Sequence, residues 1–350
     1  MTDSLGVTEL SAVREAHRFD EDALRRYLAA ALGQDGDLTV QQFKGGQSNP
    51  TFLVRLGDQR LVLRKKPPGK LLPSAHAIER EHRVLSALQD SAVPVPRVRV
   101  LCEDASIIGT PFYVMDHVEG RLFRSPLMPE VTAPERRAIC LAAVRTLAAL
   151  HLIDPSEVGL HDFGKQGGYM ARQVRRWADQ YQASKTGEIA DMDHLIRWLP
   201  DHVPSHDETR IVHGDFRLEN LIIDPEASEV RAVLDWELAT LGHPLADLGY
   251  HLMLYHLPAG GFTGSGYVGA DIEALGIPSQ SELTLAYAEA TGREPPAELD
   301  TFIAFGLFRL AAILQGVYRR GLDGNAASES ALRFGPMVKV LAGIARGLTG

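Results

Sequence analysis

Residues 211–237, IVHGDFRLENLIIDPEASEVRAVLDWE, gather the polar side chains of this sequence whose types and spacing best suit chemistry. Asp215 stands five residues before Asn220, and Asp235 follows Asn220 by fifteen. Transfer of a phosphoryl group to a hydroxyl needs one carboxylate to orient the nucleophile and two oxygen ligands to hold Mg²⁺ on the phosphates. Gly214 permits a tight turn ahead of Asp215, and His213 can brace its backbone. An Asp and an Asn five residues apart also occur by chance in solvated hairpins. The preceding His-Gly, the apolar run Leu221–Ile223 and the second apolar run ending at Asp235 move the balance towards a built site.

A second constellation lies upstream. In the helical pattern Ala75–Gln89, the residues Ile78, Glu81, Leu85 and Leu88 fall at spacings of three, four and three, so Glu81 sits on the apolar stripe. A carboxylate facing a core is costly unless paired. The β-like run Gln59–Lys65 offers two cations, Arg64 and Lys65, which a strand sends to opposite faces. A surface ion pair of Glu79 or Glu81 would account for the same residues without function. Between two β-like runs, Gly45–Pro50 reads GGQSNP, a flexible segment with free amides suited to closing over nucleotide phosphates, Ser48 among them, although a plain hairpin turn would look alike.

The elements that must position these groups are of two kinds. Asp20 caps a helix running to Leu32, followed by β-like runs at Leu38–Phe43, Thr51–Leu56, Gln59–Lys65 and Phe112–Asp116, with one helix, Ala75–Gln89, interposed before the breaker VPVP. From Glu119 onward the chain is helix-rich, with Glu135–Leu152 and Asp300–Arg320 the clearest helices and short β-like runs at Ile211–Val212, Leu221–Ile223 and Val230–Leu234. Ser205–Thr209 and Leu257–Gly266 read as loops. The pattern predicts an α+β fold with unequal halves.

HGDFRLENLI and VLDWELATLGHPLADLGY resemble the catalytic-loop and metal-site motifs of the aminoglycoside phosphotransferase and choline kinase superfamily. The resemblance spans nearly the whole chain: FKGGQSNPTF is similar to the family's nucleotide loop, LVLRKKPPG to its third strand, AIEREHRVLSAL to its N-lobe helix and YVMDHVEGRLF to its hinge. More narrowly, RKKPPGKLLPSAHAIEREHRVL and LFRLAAILQGVYRR resemble the kinase-like domain fused to acyl-CoA dehydrogenase family members ten and eleven. The resemblance implies a two-lobed protein-kinase-like fold, with a small antiparallel N-lobe over residues 1–117 and a large helical C-lobe over 118–350. It implies ATP and Mg²⁺ as cofactors and a small-molecule hydroxyl as acceptor. Asp215 would be the catalytic base, Asn220 and Asp235 the metal ligands, and Asp247 with His213 structural support for the catalytic loop. Nucleotide contacts would come from Ser48, from Arg64 paired with Glu81, and from backbone groups of Asp116 and Val118. Arg64 is favoured over Lys65 because the family supplies its cation directly after Leu or Ile. The relatives point to a hydroxyacyl-CoA or hydroxy acid as acceptor and to functional association with an acyl-CoA dehydrogenase. An aminoglycoside acceptor and a non-catalytic nucleotide-binding module are the alternatives. Asp235-Trp236-Glu237 replaces the Asp-Phe-Gly of protein kinases, which removes a ground for expecting their switch.

Composition narrows the partners. Thirty-six Lys and Arg against 45 Asp and Glu leave a net charge of −9, which argues against nucleic acid and anionic membranes. The longest uncharged stretch, Leu248–Ala270, carries glycines, a proline and two histidines and is no membrane span. Two cysteines, Cys102 and Cys140, and no apolar leader predict a cytoplasmic protein. Gly264–Gly269 matches G-x-G-x-x-G but lacks the flanking strand and helix of a dinucleotide site, Arg64–Lys70 reads as a solvated basic turn, and the histidines show no zinc spacing. Arg309, on an otherwise apolar helix, needs either a structural carboxylate or an anionic substrate.

Overall fold

The computed structural model describes residues 10–44, 49–67, 77–204, 208–260, 266–325 and 329–350. Residues 45–48 of the expected phosphate loop, Ser48 among them, the start of the helix at Ala75, and parts of the predicted loops at 205–209 and 257–266 and of the Gly264–Gly269 motif lie outside these residues.

The chain packs as two units. The first combines residues up to Arg124 with Leu218–Ala239. Its sheet has six antiparallel strands in the order β1-β2-β3-β4-β6-β5: β1 (Leu10–Ser11), β2 (Leu38–Phe43), β3 (Thr51–Leu56), β4 (Gln59–Lys65), β5 (Val98–Cys102) and β6 (Phe112–Asp116). The four strands read from sequence have the expected bounds, and β1 and β5 are additions to them. Helix α1 (Glu21–Leu32) starts where Asp20 accepts from the Ala23 N–H at 2.8 Å, and stops at Gly33 in the left-handed region (φ 67°). It packs Leu24 and Leu28 on a sheet face formed by Phe52, Val54, Leu56, Leu61, Leu63, Phe112 and Val114.

Alternation along β4 sends Leu61 and Leu63 to that core and Val62 and Arg64 to the other face. Helix α2 (Ile78–Leu88) packs near β5 and β6 with Ile78, Glu81, Val84, Leu85 and Leu88 buried, the stripe predicted for it. A hairpin distant in sequence, β8 (Leu221–Ile223) with β9 (Val230–Val233), joins this unit. Its backbone is tied by Arg121 N–H to Ile223 O at 2.8 Å, Ile223 N–H to Arg121 O at 2.9 Å and Val233 N–H to Pro94 O at 2.8 Å. At Gly120, beside that tie, a Cβ would meet the Ile222 side chain at 2.3 Å and Ile223 O at 2.6 Å, so only glycine fits the close approach.

The second unit, Ser125–Arg217 with Thr240–Gly350, is helical. It contains α3 (Ala133–Leu152), α4 (Tyr169–Ser184), α5 (Ala190–His202), α6 (Pro244–Leu252), α7 (Gln280–Thr291), α8 (Leu299–Leu322) and α9 (Phe334–Gly347), with a two-stranded ribbon of β7 (Arg210–Val212) and β10 (Thr240–Gly242). Helix α8 is long and apolar enough to cross a membrane, yet most of it is buried within this unit against α4, α6 and α9. Gly249 of α6 lets the crossing with α8 close, since a Cβ there would fall 2.6 Å from the Phe302 backbone.

Candidate active site

In the first unit a cavity of about 870 Å³ is lined by Arg64, Glu81, Asp116, Val118, Asn220 and Asp235, six residues expected from the sequence to bind nucleotide or metal. Arg64 Nη1 donates to Glu81 Oε1 at 2.6 Å, and its Nη2 donates to Asp235 Oδ1 at 3.3 Å. Glu81 and Arg64 are buried, whereas the Asp235 side chain is 38% exposed and open to solvent. Lys65 turns the other way and stacks over Phe19 and Phe52, 5.2 and 5.9 Å from their ring centroids. The choice between the two cations thus falls to Arg64.

Burial opposes the Glu81 charge, and Arg64 offsets only part of that penalty while Asp235 and Glu237 add to it, so its carboxyl is pushed up to about 7. Burial also opposes the Arg64 charge, but Glu81, Tyr113, Asp235 and Glu237 together hold it above its ordinary value.

Asn220 ends a 3₁₀ turn (Leu218–Asn220) and leads into β8, while Asp235 leaves β9. The Leu234 N–H donates to Asn220 O at 2.8 Å, so the hairpin brings the amide and the carboxylate to its open end. Asp235 has φ 65°, one of two non-glycine residues with positive φ among those described, a conformation kept where the surroundings demand it. An amide and a half-open carboxylate form a hard, oxygen-only donor pair. That pair suits Mg²⁺, which takes few protein ligands and keeps its remaining positions for water and phosphate. At the hinge the Asp116 N–H is spent on Arg97 O at 2.8 Å, and its carboxylate is held bidentately by Arg99 at 2.7 and 2.8 Å. The Val118 N–H has no partner among the described residues.

In the second unit Asp247, 2% exposed near the start of α6, accepts from the His213 N–H at 2.6 Å and the Gly214 N–H at 2.9 Å. The Asp215 N–H donates to His213 Nδ1 at 3.2 Å, and Gly214 (φ 81°) supplies the turn between them. Burial raises the Asp247 carboxyl, but His151, His213 and the Gly214 N–H outweigh it and hold it below the ordinary carboxylate range. Three residues here escape sequence reasoning. His151, at the end of α3, sits with Nε2 3.6 Å from Asp247 and Nδ1 2.7 Å from the hydroxyl of the second, Tyr287 of α7. The third, Tyr250 on α6, feels the Asp215 carboxylate; burial first, and that charge second, raise its phenol well above the ordinary value. The one available signal is a histidine closing an apolar helix.

Residues 39–280 match the family model described as the phosphotransferase enzyme family. Over 343 residues the chain is 47% identical to mouse acyl-CoA dehydrogenase family member 10, covering 97% of this chain and 32% of that one. Over 344 residues it is 42% identical to human acyl-CoA dehydrogenase family member 11, covering 96% and 44%. The chain therefore spans less than half of these relatives. A Ralstonia eutropha protein solved under a provisional aminoglycoside phosphotransferase name shares 44% identity with a TM-score of 0.87, over 95% of this chain and 98% of that one. An aminoglycoside phosphotransferase of the APH(4)-Ia type, solved with ADP and hygromycin B, shares the fold at 15% identity and a TM-score of 0.61, over 93% and 98%. The sheet unit and helical unit are those of this kinase-like fold.

Proposed function

Because this chain belongs to the phosphotransferase enzyme family, whose members phosphorylate hydroxyl groups of small molecules, we propose that it moves the γ-phosphoryl group of ATP onto a hydroxyacyl-CoA or a free hydroxy acid. The observation carrying the reading is the buried Arg64–Glu81 pair, with Asp235 bonded to Arg64 and Asn220 lining the same cavity. The ADP found in the hygromycin-binding relative supports an adenine nucleotide there.

Arg64, fixed by Glu81, would position the α- and β-phosphates, and the Asp116 carbonyl and Val118 N–H would meet the adenine edge. Asn220 and Asp235 would hold Mg²⁺, which when bound neutralises phosphate charge. Asp215 would orient the acceptor hydroxyl and take its proton; Asp247 holds the backbone on which Asp215 stands. Positioning and charge neutralisation supply most of the rate in this chemistry.

The dehydrogenase names of the relatives support an acyl acceptor and a dehydrogenase acting on the same carbon chain. A polycationic aminoglycoside fits less well, because Leu307–Arg320 carries three arginines and no acid. The test is ATP consumption with Mg²⁺ across hydroxyacyl-CoAs, hydroxy acids, choline-like alcohols and aminoglycosides, with Asp215→Asn as the blank. Turnover on acyl or hydroxy acid acceptors is expected. Turnover on aminoglycosides alone would overturn the acceptor, and bound ATP without any turnover would favour a non-catalytic nucleotide module.

A further inference from the structure

Arg309 is the residue of the second unit that the phosphoryl-transfer reading leaves unexplained. It projects from α8 where Phe308 before it and Ala311 and Ala312 beyond it are inaccessible and Leu310 is half-buried. Its guanidinium carbon lies 5.5 Å from the ring centroid of Trp177 on α4 and 5.4 Å from that of Tyr250 on α6. The Nε–H is shielded from solvent and has no hydrogen-bond partner, and Arg309 makes no ion pair with any described residue. A second guanidinium, Arg176, lies 5.2 Å from the same Trp177 ring.

This is an unusual place for a cation that only staples helices. Ring faces attract a guanidinium but cannot accept its in-plane hydrogen bonds, which point along its edges. A buried N–H is normally met by a protein acceptor, an ordered water or a ligand. No carboxylate among the described residues serves, so the first of the two explanations for Arg309 read from sequence, a structural carboxylate, is not met. Tyr250 joins the two ends of the site: its ring borders Arg309, and its phenol lies close enough to Asp215 to feel that carboxylate's charge. One tyrosine side chain thus lies between the Arg309 guanidinium and the candidate catalytic base.

We propose that Arg309, held between Trp177 and Tyr250, seats an oxyanion of the acceptor, a carboxylate or a phosphate, while the acceptor hydroxyl is presented to Asp215. Presentation of the hydroxyl to Asp215 rests on the phosphotransferase reading; the oxyanion seat does not. Planar guanidinium edges bind both oxyanions through paired N–H donors, and the flanking rings fix the plane in which they bind.

The test reads binding rather than turnover. The full chain is labelled with 5-fluorotryptophan; its three tryptophans, Trp177, Trp198 and Trp236, give three ¹⁹F lines, and Trp177→Phe assigns one of them. With the nucleotide cavity filled by ADP, 3-hydroxybutyrate, inorganic pyrophosphate and the uncharged 3-hydroxybutyramide are titrated separately into the tens of millimolar. A saturable shift of the Trp177 line is expected with an oxyanion and not with the amide, and the carboxylate and pyrophosphate arms tell which oxyanion is preferred. Arg309→Gln should abolish the shift. Arg309→Lys, a point charge without the planar fork, should weaken binding roughly tenfold. No Trp177 shift with either oxyanion, or an equal shift in Arg309→Gln, overturns the proposal. Should Arg309→Gln not fold, unchanged affinity in Arg309→Lys overturns it instead. Asp215→Asn should keep the shift while losing turnover, so failure of the phosphotransfer reading and failure of the oxyanion seat are separate results. Where an acceptor turns over, Arg309→Gln should raise its KM roughly 10- to 100-fold and leave kcat nearly unchanged.

Discussion

Arg64 and Glu81 meet at 2.6 Å on the inner side of the sheet, while Lys65, the next residue of the same strand, lies under the rings of Phe19 and Phe52 on the other side. Breaking a buried pair leaves an uncompensated charge, worth about 3–5 kcal/mol when nothing relaxes. Arg64→Met should therefore lower unfolding free energy in urea by about 3 kcal/mol near pH 8 and weaken nucleotide binding in calorimetry. Lys65→Met should leave nucleotide affinity unchanged. Equal loss of affinity in the two variants would contradict the division of faces.

Glu81 titrates near 7 in the fold because burial raises it from its ordinary 4.5. A raised carboxyl favours the protonated fold, so its contribution is complete below the unfolded value and is lost as pH rises through the folded one. Between about pH 4.5 and 7 this group should lower stability by on the order of 2–3 kcal/mol, opposing the gains that depressed carboxylates such as Asp247 bring in the acid range. Glu81→Gln should remove that slope. Urea midpoints measured at several pH values check it, and parallel curves for wild type and variant would count against the assignment.

Much of the first unit is legible in the sequence because its signals are local. Short β-like runs between turn signals locate β2, β3, β4 and β6, and the three-four-three spacing locates both α2 and the buried Glu81. Adjacent Arg64 and Lys65 have to face opposite ways, but which face α2 covers depends on tertiary packing. The strand β5, just after VPVP, is hidden by the breaker that precedes it, and two-residue β1 is too short to carry a period. That the β8–β9 hairpin packs with the first unit, about a hundred residues upstream, rests on backbone bonds to Pro94 and Arg121 that no pattern encodes. In the second unit the motif marks Asp215 and Asp247, whereas His151, Tyr287 and Tyr250 gain their parts only where α3, α6 and α7 converge.

Asp215 and Asp235 should separate by what they lose. Asp215→Asn keeps the shape but removes the carboxylate proposed as the base, so kcat should fall roughly 10²- to 10⁴-fold with nucleotide affinity intact. Asp235→Ala deletes a proposed Mg²⁺ ligand and one partner of Arg64, so Mg²⁺-nucleotide binding should weaken as well. Calorimetry beside steady-state rates resolves the two; identical losses of nucleotide binding would sink the assignment of roles.

Asp247 offers a test of how the His213–Asp215 loop is held. Its two oxygens accept the N–H groups of His213 and Gly214, one each, and an asparagine can accept only one while its NH₂ faces the other. Asp247→Asn should cost about 1–3 kcal/mol for the orphaned N–H and reduce kcat through the displaced Asp215, with nucleotide affinity unchanged. Tyr287→Phe removes only the hydroxyl at 2.7 Å from His151 and should cost about 1 kcal/mol, with a smaller fall in kcat. The order matters more than the sizes, because among the described residues the polar contact from His151 towards the loop runs to Asp247. In the double variant the Tyr287 effect on kcat should shrink towards nothing, as expected for residues acting in series; full additivity would mean that Tyr287 supports the site by another route.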